Sequence, residues 1–176
     1  MPTFTTDKSP VSPYRVAWEL NQFLNDDTIY IGDGGDVVTI SAQAVQPRQP
    51  GAWMDPGPLG TLGVGVPYAL AAKIAAPERE VLLYCGDGAF SMTGMDFEAF
   101  VRHKAPVLTV IGNNSAQNQI RFGQIMVVPL PSLRHYRGTL DACPSACLND
   151  FCASWHEGSW RPGELCSGCG GSLLTL

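Results

Sequence analysis

The chain has 176 residues, 45% of them hydrophobic and 15% charged, which suits one ordinary globular domain with its own core and is too short for a multidomain enzyme. Eleven Lys plus Arg against 16 Asp plus Glu leave a net charge of −5, which argues against nucleic acid or an anionic membrane surface held by bulk electrostatics. Met1 to Lys8 carry no basic segment followed by an apolar one, and no run approaches the roughly 20 apolar residues of a membrane span; a soluble, cytoplasmic protein is the default expectation.

Taken in order, Ser12-Pro13 has the form of an N-cap followed by proline at the first helical position, and predicts a helix to about Leu24 with Val16, Leu20, Phe23 and Leu24 on its apolar face. Thr28 to Ile31 reads as a short buried strand, and Gly32-Asp33-Gly34-Gly35-Asp36 as a flexible turn with exposed backbone N–H groups ahead of a helix from Val37 to Ala44. A loop rich in Gly and Pro, from Pro47 to Gly65, precedes an Ala-rich helix, Val66 to Ala75, which Pro77 stops. Glu80 to Cys85 is a continuous apolar run of the kind found in a strand covered on both faces. After Gly86-Asp87-Gly88 come a helix from about Thr93 to His103, with Met95, Phe97, Phe100 and Val101 apolar, and the strand Val107 to Ile111. Such alternation predicts βαβ units, hence an α/β fold with an open parallel sheet and helices on both faces.

Composition changes near Gln124. Cys85 stands alone before that point, whereas Cys143, Cys147, Cys152, Cys166 and Cys169 crowd toward the far end, in a mixture of Cys, Ser, Gly and Trp with no period of 2 or 3.6. The expected organisation is therefore a domain over residues 1–124, incomplete at its C-terminal side, and an atypical Cys-rich tail over 125–176 that lies outside the fold. With the tail loosely attached, the sheet would lose its last strand.

In an open parallel sheet, ligands gather beyond the carboxyl ends of the strands. Three strand ends here carry glycine or polar residues: Gly32 to Asp36, Gly86 to Gly88, and Gly112-Asn113-Asn114. An Asp between two Gly just after a buried strand suits a hard cation, because the carboxylate is fixed while the glycines let a phosphate approach backbone N–H groups. Asn113-Asn114 can add a neutral oxygen ligand, and the helix start after Gly88 offers its dipole to phosphates. Mg²⁺ with a diphosphate is the natural pairing.

Gly86-Asp87-Gly88 followed at the next strand end by Asn113-Asn114 resembles the diphosphate-binding signature of thiamine-diphosphate-dependent enzymes. Gly57 to Ala69 resembles the Gly-Leu-Gly-Thr-Met-Gly-x-Gly-x-Pro-x-Ala stretch of their acetolactate synthase branch, which includes 2-hydroxyacyl-CoA lyases and oxalyl-CoA decarboxylases. The likeness runs from about Thr28 to Gln124, and three motifs in order are more specific than any one.

The resemblance implies that Asp87, the Asn114 side chain and the Ala116 carbonyl ligate Mg²⁺, with diphosphate oxygens completing the octahedron. Gly86, Gly88, Ala89 and Phe90 would present backbone to the diphosphate, joined by Gly34 and Gly35 from the first strand end. Gly60 would accept a hydrogen bond from the cofactor's exocyclic amine, and Leu62 matches the bulky apolar residue, usually Met in acetolactate synthases, that keeps the cofactor bent. The cofactor supplies the carbon chemistry in that family, on a small-molecule substrate, and the branch includes enzymes of branched-chain amino acid biosynthesis. The activating glutamate belongs to a pyrimidine-binding domain that meets the cofactor across a dimer interface. None of Glu19, Glu78, Glu80 and Glu98 is assigned that role, so a partner chain or a homo-oligomer would have to supply it.

Blander readings stand beside these. Gly-Asp-Gly alone is often a turn, and Asp33 or Asp36 reads equally well as the N-cap of a helix. His103, between Arg102 and Lys104, reads as a helix C-terminal cap. Gln119 and Arg121 lie where the family places substrate-facing side chains, or on a solvated helix face. The Cys-rich tail with His156 also admits a zinc-binding interaction module, and the whole chain a non-catalytic remnant of the cofactor domain.

Overall fold

The computed structural model describes residues 4–7, 9–114, 118–127 and 172–175. Helix α1, Pro13–Phe23, starts at its proline as the sequence predicts, with Ser12 extended at the N-cap. Its inward face is Val16, Ala17 and Asn21, with Leu24 buried just beyond; Phe23, expected on that face, is 63% exposed. The buried Asn21 explains the rotation of the stripe, since its Oδ1 accepts the Gln46 N–H at 2.8 Å and ties α1 to the exit of the next helix.

Strand β1, Ile29–Asp33, is buried throughout, and α2, Gly35–Ala44, follows after Gly34 alone. The flexible five-residue turn expected here contracts to one residue because Gly34 adopts φ +123°, a conformation that side chains disfavour. Short β2, Trp53–Met54, lies inside the stretch expected to be loop, pairs parallel with β1, and stacks Trp53 on Tyr30 with ring centroids 5.0 Å apart. Then come α3, Gly65–Ala75, and β3, Val81–Gly86.

The single helix expected over Thr93 to His103 is replaced by three pieces: α4, Asp87–Thr93, a 3-10 turn over Gly94–Phe97, and α5, Glu98–Arg102. The break falls where Gly94 lies under the Phe90 ring, where an added Cβ would come within 2.8 Å of it. Phe97 and Phe100 are buried in an edge-to-face series with Phe90, whereas Met95 and Val101 are exposed. The chain continues through β4, Leu108–Gly112, and α6, Asn118–Val127.

The strands form one parallel sheet in the order β2-β1-β3-β4-β5. Its last member, β5, is Ser172–Thr175, paired from Leu108↔Ser172 to Ile111↔Thr175. The sheet thus does not end at β4 as expected: backbone from the far end of the chain satisfies an edge that would otherwise be open. The Cys-rich candidates Cys143, Cys147, Cys152, Cys166, Cys169 and His156 lie outside the described residues.

Each apolar strand splits its side chains between two cores, as the period of 2 requires. Ile29, Ile31, Leu83, Cys85 and Ile111 pack with α3 and the phenylalanines on one face; Tyr30, Leu82, Tyr84 and Val110 pack with residues of α1 and α2 on the other. The sheet is therefore doubly wound, with strand order reversing between β1 and β3, the place where such sheets open a crevice for ligands. No helix of the described residues is long and apolar enough to cross a membrane.

Candidate functional site

A cavity of about 650 Å³ opens at that reversal point, a size within the usual range of small-molecule sites. One wall is Gly34 and Gly35 with the first turn of α2, another is Gly86, Asp87, Gly88 and Ala89, and a third is Gly60 with Leu62. Asn114 and Gln119 close the side toward β4 and α6. Nine of the residues expected to contact cofactor or metal therefore meet around one space. Phe90 lies off this wall, its ring in the core against Phe97, and Ala116 lies outside the described residues.

The strand ends shape this wall. At Gly34, which also has φ +123°, an added Cβ would meet the Gly86 backbone N at 3.3 Å, so the absence of a side chain at Gly34 lets the two strand ends approach across the switch point. At Gly35 an added Cβ would run into the Gln119 side-chain amide. Gln119 thus borders the cavity while remaining exposed. Helix α2 points its N-terminal end, with its partial positive charge, at the cavity.

Two buried carboxylates stand behind the opening, at the ends of adjacent strands. Asp87, 3% exposed, accepts the Gly88 N–H on Oδ1 at 2.8 Å. Asp33, 1% exposed, reaches in the other direction: its Oδ1 accepts the Gly63 N–H at 3.2 Å and its Oδ2 the Gly65 N–H at 2.7 Å. Asp33 is therefore not a cap of α2, as it could be read from sequence. It fastens the glycine loop thirty residues away. Desolvation raises its carboxyl pKa above 3.8, and the N–H groups of Gly65, Gly63 and Gly34 pull the other way. Burial also pushes the Cys85 thiol well up, reinforced by the charges of Asp33 and Asp87. Of the two, Asp87 lines the cavity, where a carboxylate favours a cation beside an incoming phosphate.

The residues fit a hard cation and a diphosphate. Among the described residues no three or more of His, Cys, Asp and Glu gather as a metal centre. The donors at the cavity are oxygens, from the Asp87 carboxylate and the Asn114 amide, which suits Mg²⁺ bound by one or two protein groups and completed by phosphate. Glycine backbone and a helix terminus supply the anion's side of the site.

Sequence reasoning passed over Asp55. Its Oδ2 accepts the Trp53 Nε1–H at 2.8 Å and its Oδ1 the Gly57 N–H at 2.7 Å, anchoring the start of the glycine loop to β2. Asp-Pro-Gly at 55–57 is a turn signature and was the available signal. His103 is the C-cap residue of α5 and exposed, in keeping with its reading as a cap.

Fold and site together define a doubly wound α/β domain with a cavity suited to a phosphorylated ligand at its topological switch point. The family described as thiamine pyrophosphate enzyme, C-terminal TPP binding domain, matches residues 33–138. The chain belongs to this family. It is 46% identical over 115 residues to 2-hydroxyacyl-CoA lyase 2 of Bos taurus and 44% identical over 115 residues to that of Homo sapiens, in each case across 65% of this chain and 18% of the relative. It is 45% identical over 108 residues to acetolactate synthase large subunit IlvG of Mycobacterium tuberculosis, across 61% of this chain and 20% of the relative. The chain thus spans about a fifth of the length of these relatives.

Proposed function

We propose that this chain holds the diphosphate end of thiamine diphosphate through Mg²⁺, as the cofactor half of a site for making or breaking a carbon–carbon bond beside a carbonyl. The observation that carries the reading is the convergence of Asp87, Asn114 and the glycines of two strand ends on one cavity at the β1/β3 switch point. Asp87 and Asn114 are the metal ligands, with the Ala116 carbonyl as the third. Gly34, Gly35, Gly86, Gly88 and Ala89 face the diphosphate with backbone, and Gly60 and Leu62 meet the cofactor's rings.

When bound, the cofactor serves as the electron sink for carbon–carbon chemistry. The residues of this chain bind and orient: the α2 terminus and glycine N–H groups offset phosphate charge, and Leu62, half-buried on the cavity wall, limits the shape the rings can take. Activation by a glutamate belongs to a pyrimidine-binding domain, elsewhere in the polypeptide or on a partner, in the cytoplasm and acting on a small-molecule substrate. Residues 1–124 carry the cofactor contacts in this reading, and 125–176 add the edge strand β5 to the sheet but no cofactor contact. Identities of 46% and 45% to a lyase and a synthase support two substrate classes alike, acyl-CoA cleavage and acetolactate formation with its place in branched-chain amino acid biosynthesis.

Calorimetric titration with thiamine diphosphate, with and without Mg²⁺, tests the reading. Saturable heat that needs Mg²⁺ and is lost in Asp87→Ala is the expected result. Absence of heat from the folded chain under both conditions would refute it and leave the domain a non-binding remnant of its family.

A further inference from the structure

The peptide of Gly63 is held from both sides. Its N–H donates to Asp33 Oδ1 at 3.2 Å, from the end of β1, and its carbonyl accepts the Thr93 hydroxyl at 2.9 Å, from the end of α4. The next-but-one N–H, of Gly65, donates to Asp33 Oδ2 at 2.7 Å. Gly63 itself is buried at φ +84°, and an added Cβ would meet Met92 Cβ at 2.9 Å, so the loop is pressed onto α4. At Gly65 an added Cβ would meet Asp33 Cβ and Leu83 Cδ1 at 2.7 Å. Just before this fastened stretch, Gly60 and Leu62 line the cavity; Asp87, at its opposite end, begins the helix that Thr93 closes.

Resting on the reading given under Proposed function, we propose that Asp33 and Thr93 are positioning residues: through the Gly63 peptide they fix the loop that meets the cofactor's rings, at a set distance from the strand ends that hold its diphosphate. Neither lines the cavity. A carboxylate accepting two N–H groups, both oxygens engaged, fixes loop position more firmly than a single neutral bond, and the Thr93 bond transmits the placement of α4 to the same peptide. The loop and the metal-bearing helix thus form one unit, and the gap between their ligand contacts is set before the ligand arrives.

The test compares two probes on the full 176-residue chain by calorimetry: thiamine diphosphate with Mg²⁺, which needs the loop, and inorganic diphosphate with Mg²⁺, which does not. Asp33→Asn keeps the shape but turns one acceptor into a donor facing an N–H. It is expected to raise the thiamine diphosphate Kd about tenfold, and Thr93→Val roughly fivefold, the losses that removed hydrogen bonds of these two kinds bring. Thr93→Ser, which keeps the hydroxyl, restores wild-type affinity, and inorganic diphosphate binds all variants within about twofold of wild type.

If Asp33→Asn does not fold, the Thr93 pair decides alone. Unchanged thiamine diphosphate affinity, equal weakening of both probes, or Ser behaving like Val overturns the proposal. A wild-type chain that binds neither probe instead overturns the cofactor reading beneath it, a distinct result.

Discussion

Gly65→Ala sets helix propensity against packing, and the structure decides which wins. Gly65 is the first residue of α3 and has no left-handed φ, so propensity alone favours alanine by about 1 kcal/mol. The new Cβ would lie 2.7 Å from Asp33 Cβ, 2.7 Å from Leu83 Cδ1 and 2.9 Å from Asp33 Oδ2. Leu83 is fully buried in a central strand and Asp33 is 1% exposed, so neither side can yield without moving the sheet. Overpacking of this kind costs about 1–3 kcal/mol, and stretching the Gly65 N–H bond to a carboxylate costs about 1.5–3 kcal/mol more. After the propensity gain, and because the two losses share one displacement, the net expectation is destabilisation by about 2–3 kcal/mol, a fall in Tm of roughly 5–10 °C for a chain of this size. Thermal unfolding followed by circular dichroism measures it, with Gly123→Ala as control: that glycine lies within α6 with nothing within 4 Å of the added atom, so only propensity acts there and the change should stabilise by up to about 1 kcal/mol. A Gly65→Ala chain as stable as wild type would refute the reasoning, since propensity would have outweighed the contact.

Tyr30→Phe removes a buried hydroxyl that donates to Ser41 Oγ at 2.6 Å, leaving Ser41, itself fully buried, without that donor; urea unfolding should show a loss of about 1–3 kcal/mol, and no change would mean that the bond contributes nothing net. Cys85 is buried with its thiol pKa pushed well up, so peptide mapping after brief alkylation of the native chain at pH 8 should find Cys85 unmodified until denaturant is added; native-state labelling would contradict its burial. Because burial raises the Asp33 carboxyl above 3.8, the folded chain holds that proton more tightly than the unfolded one. Wild-type stability relative to Asp33→Asn should therefore fall as pH rises from about 3.8, until the folded carboxyl has also ionised. A difference that grows with pH would mean that the Gly63 and Gly65 hydrogen bonds outweigh desolvation.

What could be read from the sequence was governed by locality. The strands at 29–33, 81–86 and 108–112 are legible because a run of buried apolar residues ending at a glycine has few other uses, and the ends of α1 and α3 because proline marks them. The residues expected to hold metal and diphosphate meet at one cavity because each follows closely on a strand, and parallel pairing brings strand ends to one edge regardless of how the intervening chain runs. Trp53–Met54 escaped notice because a two-residue strand has no periodicity, and its pairing with Tyr30 and Ile31 exists only once β1 is in place. The split of 87–102 into three pieces escaped notice because the phenylalanines at 90, 97 and 100 choose their own packing over one helical stripe.

Asp33 is the most instructive case. Its sequence neighbours, three glycines and the start of a helix, invite a local role, and its hydrogen bonds run instead to residues 63 and 65. The distinction is physical: a capping aspartate must reach its own helix's N–H groups, whereas Asp33 is still in the strand and its side chain is held in the core-facing direction that β1 imposes. There it is buried, and a buried carboxylate persists only where N–H groups come to it. Only glycine at 65 permits that approach, because any side chain would occupy the position of Asp33 Cβ and Leu83 Cδ1. The glycines of the loop therefore serve two ends at once: Gly60 lines the cavity without a side chain, while Gly65 admits the carboxylate that holds the loop in place.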